Sequence, residues 1–403
     1  MIGREADVAN DESISRNILI LLFEILERRM LETSEDLSEI STELRDIRAS
    51  VRDTVQVLAD ELLKREGMND LKAHSICAQL DLAVRNFEAF AHRANKIRME
   101  QEAEAKSRDE LLYLRRFWGS FSAQLSLTRV ELNRWTLIRN LVQLQVRERN
   151  KRIPLYPATI PETHRSQVAA SDEVFDWLHG ILNPERQSES AQSAGCFADI
   201  ALPNSEFHQH LHAAYRVLIA MDHSGPKRFL DVGCGGGLKV LTALRYFDEV
   251  SGFDFQASYV SVAEDLMRRG DVERANVFEA DALLFEGYGD FEVVYFYRPI
   301  RDEEKLIEME KRIVDMAKPG AILIAPYLGF AHRYKGLECG HVDGHVYVAK
   351  TSQTAADRLR RRAAKTGVAV VRDAPGDIEN LWSPLLSAAR NSGYEVERFL
   401  QPV

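Results

Sequence analysis

Arg228-Phe-Leu-Asp-Val-Gly-Cys-Gly-Gly-Gly-Leu-Lys-Val-Leu241 is the stretch on which the fold turns. An apolar strand, Phe229 to Val232, runs directly into Gly233, Gly235, Gly236 and Gly237 and then into a helix-forming segment. Glycines at such a junction let the backbone turn tightly and approach a ligand that a Cβ would hold off. The flanks repeat the pattern. A predicted helix, Phe207 to Ala220, leads in, and a second strand, Glu249 to Phe253, ends at Asp254, where a carboxylate can accept hydrogen bonds from ribose hydroxyls. A third strand, Asn276 to Ala280, ends at Asp281, and a fourth, Phe291 to Phe296, ends at Tyr297-Arg-Pro299. A helix over Asp302 to Ala317, the turn Lys318-Pro-Gly320 and a fifth strand, Ala321 to Ala325, complete the series. Strands alternating with helices predict an α/β, doubly wound parallel sheet with its ligand at the carboxyl ends of the strands. Further on, a helix (Ile378 to Asn391), Gly393 and an apolar stretch (Tyr394 to Leu400) predict a sixth strand, which would extend this domain over residues 207–403.

Upstream the chain has a different character. Its first proline is Pro154, and before it stand only Gly3, Gly67 and Gly119. Helix breakers are thus nearly absent from residues 1–150. Apolar positions step by four and three through Leu19, Phe23, Leu26, Met30, Thr33, Leu37, Ile40, Leu44, Ile47, Val51, Thr54 and Leu58, a heptad seam interrupted by two threonines. A helix from Ser13 to Arg65 would be roughly 80 Å long and needs a partner for its stripe. Gly67 followed by Asn69 and Asp70 reads as a stop and a new N-cap. A second helix is predicted from Leu71 to Trp118, with Leu80, Val84, Phe87, Ala91 and Ala94 on one face. Gly119 is expected to break it before a third segment, Leu125 to Arg149. The regular seam favours an all-α coiled-coil or bundle module that mediates self-association, and a helical hairpin within one chain is the alternative. Residues 151–206 read as a connector. Arg152 to Pro161 holds three prolines, Pro184 to Gly195 reads as flexible, and Asp172 to Leu182 predicts an amphipathic helix, a lid or a docking element.

Composition narrows the function. The 403 residues carry a formal net charge of −10, which argues against a duplex nucleic-acid partner, because that affinity comes from lysines and arginines on phosphates. Cys77, Cys196, Cys234 and Cys339 form no CxxC pair and read as reduced thiols of a cytoplasmic protein. The longest apolar run, Ile18 to Leu26, contains Glu24 and falls well short of the about 20 residues of a membrane span, nor does it have the basic start and cleavage site of a signal peptide.

Asp231-Val-Gly-Cys-Gly-Gly-Gly237, Gly252-Phe-Asp254, Ala280-Asp-Ala282 and Lys318-Pro-Gly320 together resemble, in order and spacing, the motifs of class I S-adenosylmethionine-dependent methyltransferases. The likeness spans about Phe207 to Tyr327. An NAD-binding Rossmann loop is the competing reading of the first motif. It would place its glycines as GxGxxG and rarely has an acidic residue two positions before the first glycine together with the later aspartate of strand three. The resemblance implies S-adenosyl-L-methionine as cofactor. Asp231, Gly233, Cys234, Gly235 and Gly237 would line its methionine end, Asp254 would hold the ribose with Phe255 beside it, and Asp281 and Ala282 would meet the adenine. It also implies an acceptor face at the ends of strands four and five, where Tyr297, Arg298, Tyr327 and the loop Gly329 to His345 fall. Tyr297, Arg298 and His332 are the catalytic candidates. The chain lacks the Asn/Asp-Pro-Pro-aromatic motif of amino-methylating DNA enzymes, having Tyr297-Arg-Pro-Ile300 there, and lacks a Pro-Cys nucleophile pair. The implied activity is methyl transfer to a hydroxyl of a small molecule or glycan intermediate. A protein or RNA methyltransferase and a non-catalytic cofactor-binding scaffold are the alternatives.

Two histidine groups and one basic run complete the inventory. His208, His210 and His212 alternate within a predicted helix and so spread over different faces, which suits packing better than a metal. His341, Asp343 and His345 would share one face of a strand, a geometry open to a metal but common in turns, and no metal is predicted. Arg358, Arg360, Arg361 and Arg362 read as a solvated helix face, with a patch for an acidic substrate as the alternative.

Overall fold

The structure, a computed structural model, describes residues 37–157, 162–183, 187–197, 202–370 and 380–397. The first part of the predicted seam, Leu19 to Thr33, lies outside them.

The seam from Leu37 onward is the core of a bundle formed by the chain itself. Helix α1 (37–63) packs against α2 (Asp70–Glu104), α3 (Arg108–Asn133) and α4 (Trp135–Glu148). Leu37, Ile40, Leu44, Val51, Leu58 and Leu62 are all buried there, against Leu80, Phe87, Trp118 and Ile138. These side chains are therefore taken up within one chain and are not available to a seam shared between chains. The stripe also shifts by one residue. Val55 is fully buried, whereas Thr54 turns its hydroxyl back to the Ser50 carbonyl, 2.7 Å away. Between α1 and α2, the buried Glu61 accepts the Asn69 N–H at 2.8 Å and pairs with Lys64 and Lys72 at 2.8 and 3.2 Å. These bonds to the charged form lower its pKa to about 2. Asn69 caps α2 by accepting the Lys72 N–H, as its position predicts.

The break expected at Gly119 falls elsewhere. Helix α2 ends at Glu104, Ser107 caps α3, and Gly119 sits exposed inside α3. A helix-interior glycine costs only about 1 kcal/mol, and the neighbouring Trp118 and Phe121, edge to face at 5.5 Å, outweigh it by packing into the bundle core. In the connector, α5 (Glu162–Leu182) starts earlier than predicted, and the stretch read as flexible contains a short helix, α6 (Glu189–Ala194), capped by the Ser188 hydroxyl.

Beyond α7 (Asn204–Ala220) the strands β1 (Arg228–Val232), β2 (Glu249–Asp254), β3 (Ala275–Glu279), β4 (Val293–Phe296) and β5 (Ile322–Ile324) are parallel, and β6 (Gly340–Asp343) and β7 (Val346–Val348) form an antiparallel hairpin. The sheet order is β3-β2-β1-β4-β5-β7-β6. Helices cover both faces. On one lie α7, α8 (Leu238–Ala243), α9 (Ala257–Arg269) and α12 (Gln353–Ala363), and on the other α10 (Glu303–Met316) and α11 (Leu328–Arg333). Covering both faces explains why β4, Val-Val-Tyr-Phe, is apolar throughout. The chain leaves β1 toward β2 and later returns to β4 on its other side, so a crevice opens between β1 and β4 at their carboxyl ends.

The predicted sixth strand is a correction. Tyr394 to Val396 form no strand. Tyr394 and Val396 are buried with α13 (Ser383–Asn391) in the helical bundle, where Trp382 stacks on Trp135 at 5.3 Å and donates its indole N–H to the Glu131 carbonyl. The hairpin β6–β7 occupies the sheet edge instead, with β7 paired antiparallel to β5 and a turn at Gly344, φ +53°, joining its two strands. The C-terminal segment thus belongs by packing to the N-terminal helices, 1–150 in the sequence reading, and not to the sheet.

Candidate active site

The N–H groups of Gly233 and Cys234 both donate to the Phe253 carbonyl at 2.9 Å, so the loop after β1 is tied to the end of β2. Gly233 has φ +81°, and a Cβ there would come 2.8 Å from that of Pro299. Gly237, with φ +80°, starts α8, and a Cβ on it would press on Ala263 at 2.8 Å. Both positions require glycine for conformation and for space.

Asp254, the last residue of β2, accepts the Gly235 N–H on one oxygen at 3.0 Å and the Gln256 N–H on the other at 2.9 Å. Its carboxylate therefore lies against the glycine loop, and a carboxylate there can accept from the hydroxyls of a diol. Asp281 follows β3 and is oriented by the Leu283 N–H at 2.8 Å. Asp231 lies buried inside β1, next to Tyr295 of β4 in register. The glycine loop thus lies among three aspartates at the carboxyl edge of β1, β2 and β3. This is the doubly wound α/β arrangement that the resemblance to class I S-adenosylmethionine-dependent methyltransferases implies.

Of the predicted cofactor residues, Asp231, Gly233, Cys234, Gly235, Asp254, Phe255, Asp281 and Ala282 line one cleft of about 1230 Å³, its open mouth included. Gly237 lies behind it, against α9. Tyr297 and Arg298 also line the cleft, whereas His332 is exposed on α11 and does not. Tyr327 is likewise removed from it. Its hydroxyl donates to the buried Glu310 at 2.7 Å, and Arg333 holds the same carboxylate in a fork, fastening α11 to α10. Arg298 takes a left-handed backbone, φ +47°, uncommon outside glycine, and lays its guanidinium 4.8 Å from the centre of the Phe197 ring.

Phe197 belongs to a part of the site that the sequence reading missed. Residues 187–197 run as a strap across the cleft. Ser188 N–H donates to the Gln256 side chain at 3.1 Å, Phe197 N–H to the Pro299 carbonyl at 3.0 Å, and Arg301 N–H to the Gly195 carbonyl at 2.6 Å. Cys196 pairs with Ile300, and Lys305 donates to the Ala194 carbonyl at 3.1 Å. Gln187, Ala191, Ala194, Cys196 and Phe197 all line the cleft, as does His179 from α5. Burial and the nearby Asp254 and Asp281 push the Cys196 thiol up to about 11, so it stays protonated at neutral pH. Lys239 and Tyr295, in the first turn of α8 and in β4, are cleft residues missed as well.

The histidines resolve as packing. His208 meets the Tyr246 hydroxyl at 2.9 Å, His210 the Tyr156 hydroxyl at 2.9 Å, and His212 the Val368 carbonyl at 2.8 Å. Burial lowers the pKa of all three, that of His210 to about 3, so it is neutral in use. His341 closes its own turn by donating to the Gly344 carbonyl. Among the described residues no three His, Cys, Asp or Glu side chains converge as a metal site.

No family model matches the chain. It is similar to an O-methyltransferase, phiE, of a fungal species, 23% identical over 175 residues, which are 39% of this chain and 55% of that protein. The chain thus spans about half the length of this curated relative. Among solved structures it is similar to an RNA methyltransferase from Salinibacter ruber in complex with S-adenosyl-L-homocysteine, with 16% identity, a TM-score of 0.26, and coverage of 31% of this chain and 76% of that one. It is also similar to the [4+2]-cyclase SpnF, with 18% identity, a TM-score of 0.30, and coverage of 43% and 72%.

Proposed function

We propose that this chain binds S-adenosylmethionine in the crevice and catalyses transfer of its methyl group to a hydroxyl of a small molecule or glycan intermediate. The observation that carries the cofactor reading is Asp254. Its carboxylate ends β2, lines the cleft and is anchored to the Gly235 and Gln256 N–H groups, the position from which a carboxylate would accept ribose hydroxyls. Asp281 and Ala282 would meet the adenine and Asp231 with the glycine loop the methionine end. The curated O-methyltransferase relative supports oxygen as the acceptor atom.

When bound, the cofactor supplies a methyl already activated by its sulfonium. The chain's own contribution is then to align the acceptor and to exclude water. Residues 187–197 do the latter by bridging β2 and β4 over the cleft, and Arg298 on Phe197 holds that bridge in place. Tyr297, beside Lys239 in the cleft, faces the acceptor side in this reading. We assign the protein to the cytoplasm, in keeping with its four free thiols, and no helix among the described residues is long and apolar enough to cross a membrane. Calorimetry with S-adenosylmethionine, followed by transfer of labelled methyl to phenolic and sugar hydroxyls, tests both halves. Binding without transfer to any hydroxyl leaves a cofactor-binding scaffold, and no binding removes the reading altogether.

A further inference from the structure

The rim of the cleft beside β4 carries cations that no carboxylate answers. The loop from β4 to α10, Tyr297-Arg-Pro-Ile-Arg301, is fixed to the strap by an antiparallel bridge. Cys196 pairs with Ile300, Phe197 N–H donates to the Pro299 carbonyl at 3.0 Å, and Arg301 N–H donates to the Gly195 carbonyl at 2.6 Å. The bridge brings two arginines to one ring. The Arg298 guanidinium lies 4.8 Å from the centre of Phe197, and that of Arg301 lies 5.4 Å from it. Neither guanidinium has a carboxylate partner among the described residues. The two acidic side chains that follow directly in sequence are engaged elsewhere. Asp302 accepts the Glu304 and Lys305 N–H groups as the cap of α10, and Glu303 pairs with Arg333 at 2.6 Å. Lys305, in the first turn of α10, lines the cleft on the same side, its ammonium on the Ala194 carbonyl at 3.1 Å.

Two like charges stacked on one ring repel each other, and in a chain of net charge −10 they stand out for having no acidic counterpart. Arg298 moreover holds a left-handed backbone, φ +47°, that a glycine would take more readily, so an arginine fills this position at a conformational cost. We propose that Arg298 and Arg301 bind a phosphoryl group of the methyl acceptor at the rim of the cleft, so that the substrate is a phosphorylated small molecule whose hydroxyl reaches inward. The inference rests on the methyl-transfer reading above and names the class of its acceptor. Stacking uses the π-face of a guanidinium and leaves its in-plane N–H groups free to donate. Because Phe197 holds both forks in place, less entropy is lost when they meet an anion. Two forks suit the several oxygens and nearly double negative charge of a phosphate ester, whereas a carboxylate carries one charge and is satisfied by one fork. The location follows from the lining. Arg298 lines the cleft and Arg301 does not, so an anion shared by them sits at the mouth, while Asp254 and Asp281 deeper in the cleft repel it from the cofactor's place.

The probe is inorganic phosphate, titrated into the full chain with and without saturating S-adenosylhomocysteine and followed by phosphorus magnetic resonance. Phosphate should bind the wild type at one saturable site, and S-adenosylhomocysteine should not displace it. Arg298→Gln and Arg301→Gln should each weaken phosphate by roughly tenfold or more, as loss of a charge-assisted hydrogen bond does. Arg301→Gln, whose side chain lies outside the cleft lining, should leave S-adenosylhomocysteine within about twofold of wild type in calorimetry. Arg301→Lys keeps the charge and should recover most of the phosphate affinity. Acetate, a single charge, should bind roughly tenfold more weakly than phosphate. Absence of saturable phosphate binding, or affinity unchanged in both glutamine variants, would mean that the guanidiniums only pin the strap. Displacement by S-adenosylhomocysteine would put the anion in the cofactor's place, and acetate binding as tightly as phosphate would make the site one for a carboxylate. Each of these results overturns the assignment. If S-adenosylhomocysteine does not bind the wild type, the cofactor reading falls and takes the acceptor role with it, and phosphate binding that still depends on both arginines tells that failure apart from a failure of the anion site.

Discussion

The sheet and the helical bundle both present regular apolar patterns in the sequence, yet only the sheet could be assembled from them. In the sheet, short apolar runs end at particular residues, Asp231-Val-Gly233, Asp254 and Asp281. Those residues also say which ends of the strands converge, because parallel strands bring their carboxyl ends to one edge. In the bundle the heptad pattern identifies the face to be buried but is silent about what buries it. The same stripe through Leu37, Leu44, Val51 and Leu58 would serve a second chain as well as it serves α2, α3 and α4.

The contrast implies that the two regions are independent cores, and it can be broken by experiment. The largest effect is expected at Gly235, whose φ is +53°. Gly235→Val should abolish S-adenosylhomocysteine binding, because a β-branched residue at that backbone conformation is an outlier, while the helical bundle stays folded by circular dichroism. Loss of all helical signal together with binding would show that the cores are coupled. The reverse experiment is Trp382→Ala, which removes the ring stacked on Trp135. It should lower bundle stability by about 3–5 kcal/mol in urea melts and leave cofactor affinity unchanged within about twofold. A simultaneous loss of affinity would contradict the assignment of residues 380–397 to the bundle.

Glu61 offers a smaller, pH-dependent effect confined to the bundle. Its carboxyl, ordinarily near 4.5, is lowered to about 2 by Lys64, the Asn69 N–H and Lys72. A depressed carboxylate contributes stability that is fully present above its unfolded pKa and is lost as pH falls toward the folded one. Wild-type bundle stability should therefore drop as pH falls from about 4.5 to about 2, and Glu61→Gln should flatten part of that dependence in thermal melts. A variant with the same slope as wild type would remove Glu61 as the clasp between α1 and α2. The smallest effect is at Gly119, where nothing lies within 4 Å of an added Cβ. Gly119→Ala should stabilise α3 by about 0.5–1 kcal/mol, whereas destabilisation would restore the helix break expected from the sequence.

The legible part of the site was the part written in local chemistry. Glycine at positive φ and aspartate at strand ends announce themselves in any context, and eight of the nine predicted cofactor residues line one cleft. What stayed hidden depends on chain segments that meet only after folding. Ser188, Cys196 and Phe197 look like an ordinary polar linker until hydrogen bonds between their segment and Gln256, Pro299 and Arg301 place them over the cleft. His332 looked catalytic because it follows the fifth strand, but the Arg333–Glu310–Tyr327 network turns that helix away. Tyr394 and Val396 alternate as a strand would, and the bundle captured them because Trp382, Leu385 and Ala389 fit against α4. A signal for Lys239 was present, since a lysine so close to a glycine loop is placed by the same turn that places the loop.

The central claim is that the carboxylate at the end of β2 holds the ribose of S-adenosylmethionine. Calorimetric titration of wild type and Asp254→Ala with S-adenosylhomocysteine tests it most directly, with circular dichroism to verify that the variant is folded. Leaving two ribose hydroxyls without their acceptor costs on the order of 1–3 kcal/mol, so affinity should fall by roughly tenfold or more. A folded Asp254→Ala that binds S-adenosylhomocysteine as tightly as the wild type would contradict the claim.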